Sequence, residues 1–381
     1  MSRVIIYFLL SLFPISLSAQ HDTDDLNLNS RLEKIPKTAL FELDDYYSWC
    51  PSVIKGEDGK FHLFYSRWPH GKRDTSVNAM NYIFDEFGGW MMYSEIAHAV
   101  SDRLEGPYKH VNTILKGDGD KNRWDRFTMH NPQIRKFGKK FYLYYVSNNY
   151  NPNYYLANIS KESLEWLKYN TTQCTGVLVA NSLDDMINGK FQKVSEPLIC
   201  PDNLKTFEVT NNPSVIEGPD HTYYMMFKSR TPTPGHMTMW IATSKTPIGP
   251  FSIKSAVFTD KEFSCEDPCI WYDKARKRFY AVAKNFTNSG KLTKQFGALV
   301  LLTSKDGIGW GPAIHTLVSN KQLAMNNGEI VELENLERPF VYTDIQGKAL
   351  AILAAARRKK TNGTDGKVLQ NSFDVIIPIK N

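Results

Sequence analysis

Hydrophobic runs alternate with short polar turns through most of the chain, and one phrase of this pattern recurs five times. Each copy starts with one or two mostly polar residues and a proline, continues through β-branched and aromatic residues, and turns into a second hydrophobic run. The copies are "WCPSVIKGEDGKFHLFYSRW" from Trp49, "HNPQIRKFGKKFYLYYVSNN" from His130, "NNPSVIEGPDHTYYMMFKSR" from Asn211, "EDPCIWYDKARKRFYAVAKNF" from Glu266 and "ERPFVYTDIQGKALAILAAARR" from Glu337. The polar, mostly glycine-containing breaks between the runs are typical of hairpins, so each copy predicts strand, turn and strand.

A second phrase follows four of the five copies and predicts two further strands in each repeat. It consists of a β-rich run, then Ser or Asn, then a Gly-Pro or Gly-Lys corner, as in "IAHAVSDRLEGPYKH", "GVLVANSLDDMINGKFQKV", "MWIATSKTPIGPFSIK" and "ALVLLTSKDGIGWGP". Five units of four antiparallel strands, with little helix, predict an all-β five-bladed β-propeller. A two-sheet sandwich is the alternative architecture, and the fivefold repeat favours the propeller over it.

The spacing of the repeats predicts insertions between strands. The intervals between the marker prolines are unequal, and the first two are the longest; these prolines are Pro51, Pro132, Pro213, Pro268 and Pro339. The segment "ISKESLEWLKYN", Ile159–Asn170, predicts a short helix inside one of the long insertions. The chain is therefore divided into a signal peptide at 1–19, an irregular N-terminal arm at 20–43 and one propeller domain at 44–381.

The first residues have the pattern of an export signal. Arg3 is followed by an apolar run from Val4 to Leu17 and by the small residues Ser18 and Ala19, so cleavage is expected near Ala19. No later segment contains 18 uninterrupted apolar residues, so we expect no membrane insertion after cleavage. The expected location is the periplasm or the extracellular space.

Composition narrows the class of partner. Aromatic residues make up 13% of the chain, which suits strands and also the stacking of rings on sugar faces. The net charge of +6 comes from basic residues spread along the chain, so nucleic-acid binding is not expected. The five cysteines are an odd number and do not describe a disulfide scaffold, although one disulfide remains open.

Residues able to do chemistry recur at one position of the fivefold repeat. The pairs directly before the marker prolines are Trp49-Cys50, His130-Asn131, Asn211-Asn212, Glu266-Asp267 and Glu337-Arg338. In a propeller the first strand of each unit lines the central channel, so these pairs are predicted to converge at one end of the axis. Because unpaired charges are costly to bury, a hydrophobic core alone does not account for them. The pattern predicts a functional site there.

The second strand of each repeat returns to the same end and predicts a cationic rim. Four of the five strand ends carry Lys or Arg. These are Arg67 in the first repeat, both Lys228 and Arg230 in the third, Lys284 in the fourth and Arg357 in the fifth. Such cations can lower the pKa of neighbouring carboxyl groups, and they can bind carboxylate or sulfate groups of an acidic glycan. The predicted substrate-binding residues are Trp49, Arg67, His130, Asn131, Asn212, Lys228, Arg230, Lys284, Arg338 and Arg357.

The repeated phrases resemble those of a known enzyme class. Their form, Asp-Pro-x-Ile/Val followed by Gly-x-Tyr/Phe-Tyr-Leu-Phe/Tyr-Tyr-Ser and then Ala-x-Ser-x-x-x-Gly-Pro corners, is similar to that of the five-bladed glycoside hydrolases. The resemblance extends from about Tyr46 to Arg357 and is strongest to glycoside hydrolase family 43 and its relatives, families 32 and 117. It implies the fold and the superfamily, and it does not imply the substrate.

The family 43 catalytic triad does not carry over to this chain. That family is inverting, with an Asp base on the first blade, an Asp pKa modulator on the second and a Glu acid on the third. This chain has Cys50, Asn131 and Asn211-Asn212 at those places. The resemblance therefore implies a divergent member whose acids lie elsewhere around the ring.

Four acids are the candidates for catalysis, namely Asp125, Glu266, Asp267 and Glu337. Glycoside hydrolysis needs one protonated and one ionised carboxyl group, separated by roughly 6.5–9.5 Å for inversion. We expect Glu266 or Glu337 to be the acid, and Asp125 or Asp267 to be the base or pKa modulator. Adjacent strand residues point to opposite sides, so only one of Glu266 and Asp267 is expected to face the channel.

These observations predict an exported glycoside hydrolase that is inverting, exo-acting and directed at an acidic or sulfated glycan. A catalytically silent glycan-binding propeller and a glycoside phosphorylase are the alternatives. No cofactor is required by any motif. Some propellers of this class hold a central cation, so the resemblance also admits a divalent cation such as Ca2+ near His130.

Overall fold

Five antiparallel sheets are arranged around one axis in the computed structural model, which describes residues 25–71, 81–232, 235–359 and 371–380. The innermost strand of each sheet contacts the innermost strand of the next, and the fifth contacts the first. The predicted five-bladed β-propeller is therefore confirmed. The predicted signal peptide at 1–19 lies outside the described residues.

The strands follow the predicted order from the inside of each blade to the outside. A short strand, β1 (Leu40–Glu42), precedes the blades in the chain. The first blade contains β2 (Tyr46–Lys55), β3 (Phe61–Pro69), β4 (Glu95–Ser101) and β5 (Lys109–Leu115). The second contains β6 (Met129–Phe137), β7 (Lys140–Ser147), β8 (Cys174–Ala180) and β9 (Gln192–Lys193).

The third and fourth blades repeat this order. The third contains β10 (Phe207–Glu217), β11 (Tyr223–Arg230), β12 (Met237–Ser244) and β13 (Ser252–Ala256). The fourth contains β14 (Cys265–Asp273), β15 (Arg278–Asn285), β16 (Leu299–Ser304) and β17 (Gly311–Ser319). The fifth blade has β19 (Ile330–Thr343) as its innermost strand and continues outward through β20 (Ala349–Arg358) and β21 (Ser372–Pro378) to β1, while β18 (Gln322–Ala324) pairs with the start of β19.

Part of the predicted irregular arm is a strand. β1 pairs antiparallel with β21, with Leu40 opposite Val375 and Glu42 opposite Phe373. It is the outer strand of the fifth blade, so residues near the two ends of the propeller are held in one sheet. The prediction missed it because so short a strand carries too little pattern to be recognised.

Helices lie in the insertions. The α-helices of the described residues are α1 (Trp90–Tyr93), α2 (Lys161–Asn170) and α3 (Leu183–Ile187). Short 3-10 helices span Asn29–Arg31, Lys37–Ala39, Asn81–Phe84, Glu86–Gly89 and Lys261–Phe263. The predicted helix at 159–170 is confirmed as α2, which begins after Ser160, whose hydroxyl accepts a hydrogen bond from the Ser163 N–H. No helix of the described residues has the length and apolar character needed to span a bilayer.

Every innermost strand contains the same β-bulge just before its marker proline. In the first blade, for example, Trp49 pairs with Ser66 and Ser52 pairs with Phe64, so one extra residue is inserted. The residue before each proline has a φ of 54–59°, in the left-handed region that L-residues rarely adopt. These residues are Cys50, Asn131, Asn212, Asp267 and Arg338. The bulges turn the strand ends toward the axis.

Side chains just after the bulges join neighbouring blades. Ser52 Oγ accepts a hydrogen bond from the Ile134 N–H, and Ser214 Oγ accepts one from the Ile270 N–H. Apolar clusters fill the spaces between adjacent blades, and the largest lies between the fourth, fifth and first blades. The rigid centre that results holds the bulges in register.

One disulfide, Cys174–Cys200, answers the question that the sequence left open. It links β8 to the segment before β10, while Cys50, Cys265 and Cys269 are buried free thiols.

Because a cross-link restricts the unfolded chain, we expect Cys174→Ala/Cys200→Ala to lower the free energy of unfolding by about 3 kcal/mol. Urea denaturation of the oxidised protein and the variant measures this, and Cys265→Ala is the unlinked control. A loss below about 0.5 kcal/mol, the size of an ordinary surface substitution, would contradict it.

A buried acid in the fifth blade predicts an unusual pH dependence. The carboxyl oxygens of Asp374 have no hydrogen-bond partner among the described residues. Burial raises its pKa well above 3.8, and the nearby Ser48 side chain, which does not complete a hydrogen bond to it, offsets this only in part. The unfolded chain therefore releases this proton at lower pH than the folded protein, so stability falls as pH rises above about 4.

We expect Asp374→Asn to raise the melting temperature at pH 8 by about 2 °C or more and to leave it nearly unchanged at pH 4. Scanning calorimetry at the two pH values measures the effect. Asp102→Asn is the control, because the Asp102 side chain is 87% exposed. A variant that is less stable than the parent at pH 8 would refute the argument.

Candidate active site

The bulged strand ends surround a cavity of about 280 Å³ at one end of the axis. Residues from four innermost strands face it in pairs, and from the first strand Trp49 faces it. The predicted site residues that line it are Trp49, His130, Asn131, Asn212, Lys228, Glu266, Asp267, Glu337 and Arg338. The structure thus brings these predicted residues together around one depression, while their individual roles stay predictions.

The residues in the left-handed conformation form a hydrogen-bonded chain around the axis. The thiol of Cys50 donates to Asn131 Oδ1 at 2.6 Å, and burial raises the pKa of this thiol well above 9. The Asn131 amide then donates to Asn212, and the Asn212 amide donates to Asp267. Arg338 closes the series, because its backbone N–H and its guanidinium lie 3.3 and 3.4 Å from Asp267 oxygens. This chain forms the floor of the cavity.

Glu266 and Asp267 both line the cavity, so the expectation that only one of them would face the channel is wrong. The expectation assumed regular alternation along the strand. The bulge between Glu266 and Cys269, with Asp267 at φ 59°, breaks that alternation. Asp267 joins the axial chain, while Glu266 lies one step further out, opposite Lys284 in the strand register.

Two lysines and two glutamates form an ion-pair network on one wall. Lys228 Nζ lies 2.5 Å from Glu266 Oε2, and Lys284 Nζ lies 2.8 Å from Glu266 Oε1 and 2.5 Å from Glu337 Oε1. Burial acts to raise the pKa of Glu266, but the attraction of the two ammonium groups outweighs it and lowers the pKa to about 2. Glu266 is therefore ionised at neutral pH.

This network bears on two catalytic expectations. The lowered pKa of Glu266 argues against it as the proton donor, which was one of the two assignments that the sequence left open for the acid. Lys284 Nζ also holds one oxygen of each glutamate close together, because it contacts Glu266 Oε1 at 2.8 Å and Glu337 Oε1 at 2.5 Å. This close approach bears on the expected inversion, since inverting pairs are the more widely separated class.

Asp125 does not join the cluster, so the prediction that it acts as base or pKa modulator in this cavity is wrong. Its carboxylate contacts Arg123 at 2.8 Å, Lys193 at 2.6 Å and the Tyr145 hydroxyl at 3.0 Å. It is 1% exposed and does not line the axial cavity. Sequence proximity to His130 suggested the site, but the chain turns between Asp125 and β6 and directs this carboxylate to the side of the second blade.

Of the five predicted rim cations, Lys228 and Lys284 belong to the network, and only Lys228 of the five lines the cavity. Lys228 and Lys284 are described above. Arg67 is directed to the outer strands of its own blade, where Nε lies 2.7 Å from Glu95. Arg230 pairs with Glu208, and the Arg357 guanidinium lies over the Phe87 ring at 4.3 Å. Arg357 therefore supports the cavity through Phe87 rather than facing it.

The opposite wall is aromatic, and the sequence alone did not predict most of it. Phe87 and Trp90 come from the insertion between β3 and β4, Trp166 comes from α2, and Trp49 and Trp68 come from the first blade. Both insertions lie in the two longest intervals between marker prolines. Those intervals, with their tryptophans, were the only signal that could have indicated this wall.

His130 lies between the aromatic wall and the axial floor. Its ring stacks on Trp90 at 4.8 Å and 25°, and Nδ1 lies 2.8 Å from Ser94 Oγ. Burial, and to a smaller extent the charge of Arg338, lower its pKa well below 6.5. The imidazole is therefore neutral at pH 7 and can exchange hydrogen bonds with a hydroxyl group.

Three polar residues of the cavity were missed, namely Asn170, Gln173 and Glu208. Glu208 Oε1 accepts from Asn170 Nδ2 at 2.7 Å, and Gln173 Oε1 accepts from Asn211 Nδ2 at 2.6 Å. Glu208 has a φ of 67°, which is strained for this residue type. It lies just upstream of the repeated phrase, so the repeat could not reveal it.

The cavity is charge-balanced. Four cations in or beside it each contact a carboxylate. Lys228 contacts Glu266, Lys284 contacts Glu266 and Glu337, Arg230 contacts Glu208, and Arg338 contacts Asp267. In the described part of the chain, no group of three or more His, Cys, Asp and Glu side chains is arranged to hold a metal ion. Since the Arg338 guanidinium occupies the axial chain, the residues there do not fit the Ca2+ that the resemblance admits.

Comparisons with known proteins place the chain by its fold. No protein-family model matches the sequence, and no curated protein matches it. A family 117 glycoside hydrolase from the marine bacterium Zobellia galactanivorans superposes with a TM-score of 0.58 and 14% identity, over 91% of this chain and 88% of that chain. An α-L-arabinofuranosidase from Lactobacillus brevis superposes with a TM-score of 0.55 and 12% identity, over 93% and 94%.

A third solved structure is an endo-arabinase from Bacteroides thetaiotaomicron, with a TM-score of 0.52, 12% identity, and coverage of 91% and 97%. All three are similar over nearly their whole length, at identities too low to indicate more than a common fold. The predicted resemblance to five-bladed glycoside hydrolases is therefore confirmed at the level of the fold.

Proposed function

We propose that this protein is a glycoside hydrolase and that it cleaves its substrate in the axial cavity. The observation that carries the proposal is the pairing of an aromatic wall with a carboxylate-lysine wall in one small cavity. Aromatic rings present apolar faces on which sugar rings stack, and the opposite wall supplies the two carboxyl groups that glycoside hydrolysis requires. The solved structures with this fold include glycoside hydrolases, which agrees with the proposal.

Glu266 and Glu337 are the proposed catalytic pair. Glu266 is held ionised by two ammonium groups and serves as the nucleophile or as the carboxylate that stabilises positive charge at the anomeric carbon. Glu337 is more accessible, with 18% of its side chain exposed against 5% for Glu266, and it serves as the acid. The short separation that the shared Lys284 ammonium imposes on their oxygens favours retention of anomeric configuration, in place of the inversion implied by the family 43 resemblance.

The size of the cavity supports exo action. A volume of about 280 Å³ lies just below the usual range of ligand cavities, which is roughly 300–1,000 Å³. A cavity of this size at a channel mouth suits one terminal sugar better than the middle of a chain. We therefore propose release of single sugars from a chain end.

Charge balance argues for a neutral sugar in the axial cavity. Lys228, Lys284 and Arg338 already contact carboxylates, so a uronate or sulfate group would have to displace one of them. Displacement leaves a buried carboxylate unpaired, which is costly. The preference for an acidic glycan that the sequence suggested loses its main physical support.

Export remains part of the proposal. The signal-like N-terminus predicts it, and the Cys174–Cys200 disulfide agrees with it, because disulfides persist in oxidising compartments. Expression of the full chain with N-terminal sequencing of the product tests it. Cleavage near Ala19 is the expected result, and an intact N-terminus in the cytoplasmic fraction would contradict it.

The activity is tested by incubating the protein with neutral and acidic aryl glycosides and plant and algal oligosaccharides. Proton NMR of the first product identifies both the sugar and its anomeric configuration. The expected result is release of a neutral monosaccharide with retained configuration. Turnover that requires phosphate would indicate a phosphorylase, and binding without any product would indicate a silent glycan-binding propeller.

A further inference from the structure

A second cavity, larger than the axial one, lies beside it. Its volume is about 530 Å³, and it is formed by the loop after β7, the segment before β10 and the end of β11. Glu208 lines both cavities, so the two share a wall. Nothing in the proposed catalytic chemistry uses this second space.

An ion pair forms the shared wall. Arg230 Nε donates to Glu208, Arg230 Nη1 donates to the Gly235 carbonyl at 3.3 Å, and Asn170 Nδ2 donates to Glu208 Oε1 at 2.7 Å. Asn170 lines only the axial cavity, while Arg230 lines only the second one. The pair thus presents polar atoms toward both spaces, and the left-handed backbone of Glu208 places its side chain there.

The lining of the second cavity has the chemistry of a sugar site. Tyr154 and Phe207 contribute half-buried aromatic rings, and Asn151, Asn203 and Thr231 contribute amide and hydroxyl groups. Burial and the nearby Glu208 carboxylate raise the pKa of the Tyr154 phenol, so it remains a neutral hydrogen-bonding group. Leu204, which follows the lining residue Asn203, is 79% exposed and leaves an apolar edge open to a ligand.

We propose that the second cavity binds the sugar units that follow the terminal one, so that the substrate is an oligosaccharide of at least three units. The inference rests on the proposed function, because the axial cavity holds the terminal sugar. The second cavity is nearly twice as large as the axial one, which suits two further units. Glu208 and Arg230 hydrogen-bond the glycan where it passes between the cavities.

Kinetics on a length series test the proposal. For the glycan that yields product, kcat/KM is measured for the aryl monosaccharide and for oligosaccharides of two to five units. The parent should gain about tenfold or more up to three units, and Tyr154→Ala should lose about tenfold on the longer substrates only. The matched control is Tyr155→Ala, which removes the neighbouring tyrosine, 76% exposed and outside the cavity lining.

Two outcomes separate this proposal from the proposed function. If the aryl monosaccharide is cleaved but neither chain length nor Tyr154→Ala changes kcat/KM, the second site is refuted and the hydrolase stands. If no glycan is cleaved, binding to a printed array of plant and algal oligosaccharides of one to six units decides. Length-dependent binding that Tyr154→Ala abolishes and Tyr155→Ala keeps supports the site, and any other array result refutes it.

Discussion

Replacing Glu266 with glutamine is expected to lower kcat/KM by about 10³-fold, within the range by which positioned carboxyl groups accelerate reactions. Glutamine keeps the shape of the side chain but removes the negative charge that Lys228 and Lys284 hold in place. No other carboxylate in the described cavity contacts both lysines, so none can replace it. The measurement is steady-state kinetics on the aryl glycoside that the activity screen identifies.

Glu262→Gln is the matched control for this prediction. Glu262 lies shortly upstream, its side chain is 48% exposed, and its contact with Lys291 is 3.8 Å long. Its loss should leave kcat/KM within about twofold, because exposed ion pairs contribute little. Circular dichroism tests whether Glu266→Gln is folded. If it is not, Glu266→Asp, which keeps the negative charge, is measured in its place. A folded Glu266→Gln protein whose kcat/KM lies within about threefold of the parent value would show that Glu266 is not catalytic.

Lys284→Met should cost about 3–5 kcal/mol of unfolding free energy, the usual loss when one partner of a buried ion pair is removed. Lys284 is 6% exposed and its ammonium serves both Glu266 and Glu337. Its removal leaves Glu337 without this cation and Glu266 with Lys228 alone. Urea denaturation at pH 7 measures the loss.

The pH dependence of this loss follows from the direction of the Glu266 pKa shift. The folded-state pKa is lowered to about 2 from 4.5, so the stability it contributes is complete above pH 4.5 and is lost as pH falls toward 2. The difference between the parent and Lys284→Met should therefore shrink over that interval.

Two further variants test whether the stability loss comes from the buried ion-pair network. Lys284→Met/Glu337→Gln should recover part of the lost stability, because it removes one of the unpaired carboxylates. Lys291→Met, in an exposed pair with Glu262, should change stability by less than about 0.5 kcal/mol. If Lys284→Met costs no more than Lys291→Met, the network is not the buried unit described here.

The repeat carried most of the information about the fold. Five copies of one hydrophobic pattern favoured closure around a common axis over a two-sheet sandwich, so the propeller and the convergence of His130, Glu266 and Glu337 were predicted from periodicity. The same reasoning failed for Asp125, which precedes its repeat by several residues. Outside the repeated phrase the path of the chain depends on turns that periodicity does not describe.

The direction of individual side chains was not accessible in the same way. Regular alternation placed Glu266 and Asp267 on opposite sides, yet the left-handed conformation at Asp267 brings both into the cavity. Likewise, Glu208 and Trp166 lie outside the marker phrases: the left-handed backbone at the start of β10 brings Glu208 into the cavity, and packing of the α2 insertion brings Trp166. The charge state of Glu266 was also not readable from the sequence, because its pKa depends on two lysines from different blades.

The amino-acid sequence by itself determined the number of blades, the strand order of the first four and the ring of residues that meets at the axis, because these follow from a pattern repeated along the chain. Only the tertiary structure decided which charges pair, which aromatic side chains face them and which acid lies outside. Those properties depend on distances between segments that are far apart in sequence, and burial and ion pairing at those distances set the charge state of each group.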